Sequence, residues 1–415
     1  MSLSNYRRTR FACFFAYLAM SSVFVLPPML FTTFRSMYGI SFTLLGTLIV
    51  VNFSVQMLID LVFTFFYRHF NIQLTVRLMP LLTSLGLLIY ALIPTLFPQY
   101  AYMGLVAGSV VFSMAAGLSE VLLSPIMSAI PSQHPERDMS LLHSLYGWGV
   151  VSVVLVSTLY FFFFGTENWI WLALFFALLP LICSLLFWIS PIPPMSLTGN
   201  EKGQKAKGRA KRLLLCSLCI FLGGCAENTM TNWVSGYMEI ALQVPKEVGD
   251  ILGLALFALL LATTRTLYAK FSFNITKTLL YSMLGATVCY LVAGLSPNVI
   301  FAFIGCIFTG VFTSMLWPGT LILMEEMIAV PGVAAYALMA ACGDFGSSIA
   351  PQMMGIIADN IAASDFAISL SQSLGVTPDE IGLKTGMVIA ALFPILGVLL
   401  LLYAKRYFRK SPQQI

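Results

Sequence analysis

The sequence predicts an all-α integral membrane protein of twelve transmembrane helices in two pseudo-symmetric six-helix halves. Three observations carry that expectation. Of 415 residues, 59% are hydrophobic and 9% are charged, with a mean hydropathy of +0.90, whereas soluble domains carry roughly 25% charged residues. A bilayer crossing takes about 20 apolar residues in a helix, and twelve such segments can be marked, with almost no room left for a soluble domain. The third observation is the placement of the 22 Lys and Arg residues. With the N-terminus inside, only Arg35, Lys246 and Lys384 fall on the outer side, and Arg265 lies within a span. Inner loops of membrane proteins are the ones rich in Lys and Arg. The asymmetry predicts both termini in the cytoplasm, and a multi-pass plasma-membrane protein is expected. Anionic lipid accounts for the basic clusters without nucleic acid.

The first half is expected to span 1–190, a basic cytoplasmic linker 191–212, and the second half 213–415. Residues 1–10 are a short basic lead. Segment one (11–33) is too long, and too soon followed by another, to be a cleaved signal peptide. Its Pro27-Pro28 pair predicts a bend near the outer end. Segment two (41–67) holds Asn52, Gln56 and Asp60, spaced to stack on one helix face. Polar side chains in lipid must face protein or water. This stripe reads equally as a cavity lining or as a polar seam between helices. Segment three (76–97) reads as packing material.

Segment four (103–130) carries one carboxylate, Glu120, five residues ahead of Pro125. A carboxylate at bilayer depth costs about 2–3 kcal/mol on insertion scales, so it persists where it has a task or a partner. Either it faces a solute path and carries a proton, or it is a protonated packing group. A polar hairpin follows. Segment five (140–164) then opens with His143 and the cluster Gly147-Trp148-Gly149. Segment six (168–190) is aromatic and aliphatic, as lipid-facing helices are. The Gly- and Lys-rich run after it has no apolar periodicity and reads as a flexible linker.

Segment seven (213–240) is the most polar of the second half, with Glu227, Asn228, Thr231, Asn232 and Trp233 following Gly223-Gly224. Paired glycines allow close packing or local unwinding. Amides beside an indole suit a sugar, whose hydroxyls need donors and acceptors and whose C–H face stacks on a ring. The same stripe would also serve as an interhelical seam. In segment eight (249–270), Arg265 either reaches the cytoplasmic surface or pairs with Glu120, Asp60 or Asp344. Segment nine (276–296) is featureless. Segment ten (298–324) spaces Thr309, Thr313 and Trp317 by four, then Pro318. Segment eleven (334–358) brings Asp344 among glycines that let helices approach closely. Segment twelve (382–404) is apolar and ends in a basic tail.

Gly117 and Pro125 are eight residues apart, as are Gly310 and Pro318, which suggests corresponding helices in the two halves. Repeats of that kind place a solute site at midplane. The eight cysteines all fall within spans and read as small buried residues, Cys216-x-x-Cys219 included. No phosphate-binding loop, zinc spacing or esterase motif is present, so an enzyme or ATP-driven pump is not expected, and no cofactor or metal is called for.

Six-plus-six helices with an inner N-terminus and a basic central loop resemble the major facilitator superfamily. Within it, GLSEVLLSPIMSAIP followed by MSLLHSLYGWG is similar to helices four and five of the fucose permease-like sugar symporters. The resemblance implies that Glu120 is the proton-coupling acid and that His143 stands where a polar sugar contact does. Two positions depart from that pattern. Ser124 replaces the asparagine ahead of the proline, and segment one has no ionisable residue at depth. Asp60 or Glu227 could take the second acid's place.

The expected function is secondary transport of a sugar or similar small polar solute, imported with a proton (or sodium) by a monomer. Glu120 and Asp60 would couple the ion. Asn52, Gln56, His143, Trp148, Glu227, Asn228, Thr231, Asn232, Trp233, Thr313 and Trp317 would contact solute. Arg265, Asp344, Pro125 and Pro318 would shape or gate the path. The alternatives are a drug or metabolite exporter of the same fold and a membrane solute sensor that does not transport.

Overall fold

The computed structural model describes residues 6–66, 69–132, 135–193, 209–271, 273–328 and 333–410. The chain divides into two compact units, Met1–Leu197 and Thr198–Ile415. The first contains α1 (Arg7–Met29), α2 (Phe31–Tyr38), α3 (Phe42–Phe66), α4 (Ile72–Leu96), α5 (Ala101–Ala129), α6 (Pro135–Phe164) and α7 (Trp169–Trp188). The second contains α8 (Arg209–Ala241), α9 (Lys246–Val248), a π-helical stretch (Gly249–Ala255), α10 (Leu256–Phe271), α11 (Ile275–Leu295), α12 (Val299–Thr313), α13 (Pro318–Met327), α14 (Val333–Ala362), α15 (Asp365–Leu374), α16 (Pro378–Ala390) and α17 (Leu392–Lys410). Among the described residues there is no strand. Among the described residues eleven helical stretches are long and apolar enough to cross a membrane, and a bent pair, α14 with α15 at 74°, makes twelve when taken as one span. The protein is thus a twelve-span, all-α membrane protein. Most of the expected linker, 194–208, lies outside the described residues, and α8 takes up its last basic residues from Arg209.

The packing of one unit repeats in the other. In the first, α1 runs along α6, α3 along α5, and α4 along both α5 and α7. In the second, α8 runs along α14, α10 along α12, and α11 along both α12 and α17. The starts of the third spans repeat too. The Asn71 side chain accepts from the Leu74 amide at 3.1 Å, and the Asn274 side chain accepts from the Lys277 amide at 3.0 Å. Thr75 and Thr278 then donate to the Asn71 and Asn274 carbonyls. An asparagine cap satisfies one of the amides that a helix start leaves without a partner.

The matched Gly–Pro pairs behave alike at glycine and differently at proline. A Cβ on Gly117 would sit 3.1 Å from the backbone oxygen of Gln56 on α3, and one on Gly310 would overlap the Phe257 carbonyl on α10. Each glycine lets the fourth span of its half press on the second. The backbone of α5, however, continues past residue 125, whereas α12 stops at Thr313 and α13 restarts with Pro318 in its first turn. Segment one is interrupted beyond its prolines: α1 carries Pro27 and Pro28 and gives way to α2 at Leu30. At one end of the first unit, Phe34, Tyr90 and Trp169 pack edge to face, with Phe34 and Trp169 centroids 5.1 Å apart. All eight cysteines are free thiols, and seven are buried.

Candidate functional site

In the first unit the polar stripe of α3 meets α5 as a ladder. The Asn52 side-chain oxygen accepts from Gln56 Nε2 at 2.9 Å and from the Ser113 hydroxyl of α5 at 2.7 Å. One turn on, Gln56 lies against Gly117. One further turn on, Asp60 and Glu120 bring carboxylate oxygens within 4.8 Å of each other. The two helices rise in step, so positions 52, 56 and 60 face 113, 117 and 120 in turn. Asn52 and Gln56 therefore hold helices together in this conformation, and the close contact at Gly117 places the two acids side by side. Asp60 is 3% exposed. Two unit charges at such a distance repel by about 3 kcal/mol at an effective dielectric of ~20. A proton or metal cation held between them would remove that repulsion. Trp148 on α6 is 50% exposed. The side chains of His143 and Pro125 lie outside the described residues.

In the second unit α8 is continuous through Gly223-Gly224, so the glycines serve close packing and no unwinding. A Cβ on Gly224 would stand 2.5 Å from the Gly343 carbonyl and 3.0 Å from the Ser347 hydroxyl, both on α14. Asn228 donates to that same Ser347 hydroxyl at 2.8 Å. Trp233 is 1% exposed and its indole donates to the Pro351 carbonyl at 2.9 Å, which commits the ring to packing within its own half. Thr231 and Asn232 bond back to the Glu227 and Asn228 carbonyls. Thr313 is buried and bonds back to Thr309. The Trp317 ring covers Gly343, next to the buried Asp344.

The expectation for Arg265 is corrected. Within its own unit it pairs with an acid that was not among the expected partners, Glu227. Its Nη2 donates to Glu227 Oε1 at 2.8 Å, and its Nε donates to the Ser314 carbonyl at 2.8 Å, where α12 breaks. The physical reason lies in that break: carbonyls at a helix end have no amide of their own and attract a cation. Two polar partners on neighbouring elements hold the guanidinium better than a long reach to the surface would. Sequence reasoning also missed Ser113 and Ser347. Ser113 lies seven residues before Glu120 and so on the same helix face, a signal that was available.

A twelve-span chain with this repeated packing can be compared with known proteins. The family model described as Major Facilitator Superfamily matches residues 5–351. The chain belongs to the major facilitator superfamily. Solved structures of the superfamily share its fold at low identity. A bacterial homolog of the human lysosomal transporter Spinster, inward-facing and occupied, is 13% identical with a TM-score of 0.75, covering 98% of each chain. A D-xylose–proton symporter is 13% identical with a TM-score of 0.73, covering 93% of this chain and 96% of its own. A single-substitution variant of the E. coli fucose:proton symporter FucP is 12% identical with a TM-score of 0.62, covering 96% of this chain and 99% of its own. No curated protein matches the chain in sequence. Membership makes this a transporter-family protein and not an enzyme; at these identities the structural likeness speaks for the fold alone.

Proposed function

We propose that the protein imports a sugar or similar small polyhydroxylated solute together with a proton, by alternating access, with both termini in the cytoplasm. The observation that carries this reading is the Asp60–Glu120 pair, whose carboxylate oxygens approach within 4.8 Å on neighbouring spans of one half. Intramembrane acids arranged this way mark proton relays. Glu120 takes the proton, and Asp60 is the second acid that segment one lacks. Protonating the pair removes the repulsion between two acids that the α3–α5 contact holds side by side. The ladder above the pair, Asn52 to Ser113 and Gln56 to Gly117, keeps the acids in register. His143, Trp148, Asn228, Thr231, Asn232 and Trp317 remain the proposed solute contacts. The resemblance of GLSEVLLSPIMSAIP and MSLLHSLYGWG to helices four and five of the fucose permease-like symporters supports the choice of a sugar.

Purified protein in liposomes with an imposed proton gradient tests the reading. Sugar should accumulate against its gradient in wild type. Glu120→Gln should lose accumulation but keep exchange of labelled for unlabelled sugar. Uphill transport by Glu120→Gln at the wild-type level would sink the coupling assignment.

A further inference from the structure

The Glu227–Arg265 pair has unused capacity on both sides. Glu227 Oε2 is buried and has no hydrogen-bond partner among the described residues, while Oε1 is held by Arg265. Arg265 uses Nη2 for Glu227 and Nε for the Ser314 carbonyl, and no hydrogen bond is made by Nη1 among the described residues. The side chains of Arg265 and Glu227 are 25% and 14% exposed, so the pair borders open space while Oε2 itself is covered until a donor displaces its cover. A buried carboxylate oxygen without a donor carries the desolvation penalty of an unmade hydrogen bond. A ligand donor relieves it.

We infer that Glu227 and Arg265 together bind a vicinal diol of the transported sugar: one hydroxyl donates to Glu227 Oε2, and the neighbouring hydroxyl oxygen accepts from Arg265 Nη1. The proposal rests on the sugar reading given above. A diol fits because the pair is already neutral. It leaves one acceptor on Glu227 and one donor on Arg265, two side chains already joined at 2.8 Å, and a diol offers one donor and one acceptor on adjacent atoms. A zwitterionic solute would have to break the bridge between the two residues to reach them. A monocarboxylate would satisfy Arg265 but leave Glu227 Oε2 facing a like charge. Arg265 supplies a planar fork, which lysine cannot. Its second anchor, on Ser314, fixes the direction in which the free nitrogen points.

The experiment uses the full chain in detergent, with thermal stabilisation as the readout of binding. Wild type is first screened against D-glucose, D-galactose, D-mannose, D-xylose and L-fucose. The best binder is then compared with its monodeoxy analogues in wild type, Glu227→Gln and Arg265→Lys. Glu227→Gln keeps the side-chain shape and Arg265→Lys keeps the charge but loses the fork, and their unliganded melting curves report whether they fold. The expected result is a loss of about 10-fold or more in affinity in each variant, as for a hydrogen bond to a charged group. Two adjacent hydroxyls should matter in wild type. Their removal should cost Glu227→Gln and Arg265→Lys about 2-fold or less, since the partner is already gone. If each variant discriminates every deoxy analogue as wild type does, the diol site is wrong while the sugar reading stands. If no sugar in the panel stabilises wild type, the sugar reading itself fails.

Discussion

Gly224→Ala offers a measurable test of how tightly α8 and α14 are held. A Cβ at position 224 would lie 2.5 Å from the Gly343 carbonyl oxygen. An ordinary carbon–oxygen contact is about 3.3 Å, so the helices must part locally by roughly 0.8 Å. The Asn228–Ser347 bond, 2.8 Å in this structure, spans the same gap. Parting along it would carry it to about 3.6 Å, beyond hydrogen-bond range. Overpacking of this kind costs about 1–3 kcal/mol, and an interhelical side-chain hydrogen bond in a membrane protein contributes ~0.6 kcal/mol. The expected loss is therefore about 2–3 kcal/mol, read as unfolding free energy in mixed micelles with a titrated denaturing detergent. Asn228→Ala should account for the smaller part alone. In Gly224→Ala the two losses come together, so adding Asn228→Ala should cost almost nothing more. A Gly224→Ala protein within about 0.5 kcal/mol of wild type would refute the reasoning, because the contact would then be slack.

Further outcomes can be checked alongside. Arg265→Met should destabilise by about 3 kcal/mol, the lower end for breaking a buried pair because Arg265 is a quarter exposed; adding Glu227→Gln should recover most of it in the same unfolding experiment. Arg10 pairs with Asp138, which also accepts from Ser132 at 2.7 Å. With Arg10 37% exposed, Arg10→Ala should cost about 1 kcal/mol or less and the loss should shrink in high salt, whereas Asp138→Ala should cost more and retain part of its effect. Acidifying the outer solution should speed sugar uptake in wild-type liposomes and leave Glu120→Gln unmoved. Trp233→Phe should lower stability by about 1 kcal/mol through the lost bond to Pro351 and leave the apparent affinity for solute unchanged.

The spans were legible because lipid imposes a length and a composition, and each apolar run announces itself without reference to its neighbours. The polar stripe of α3 was legible as a stripe, since spacing by four fixes a helix face. Its use was not. Whether Asn52 faces a cavity or another helix depends on what lies opposite, and Ser113 is 61 residues away in sequence. The same holds for Arg265 and Glu227, 38 residues apart. Charge alone made Glu120, Asp60 and Asp344 equally attractive partners, and a deciding group was a backbone carbonyl, Ser314, left without an amide four residues on because Pro318 stands there. The internal repeat could have been read more fully. NIQLT at Asn71–Thr75 and NITKT at Asn274–Thr278 cap corresponding helices through the same two bonds. Matching Gly and Pro alone found a pair that shares one role and differs in the other.

The ladder between α3 and α5 acts as a vernier. Its rungs are spaced by single turns, and each differs in kind: an amide with a hydroxyl, a backbone with a bare glycine, an acid with an acid. Sliding one helix past the other by a turn would set Gln56 against Ser113 and Asp60 against Gly117, and would leave Glu120 with no acid opposite. No offset other than the present one satisfies every rung. Movement in this half must therefore carry α3 and α5 as a single piece, and any shear that opens or closes the protein has to be sought at other helix contacts.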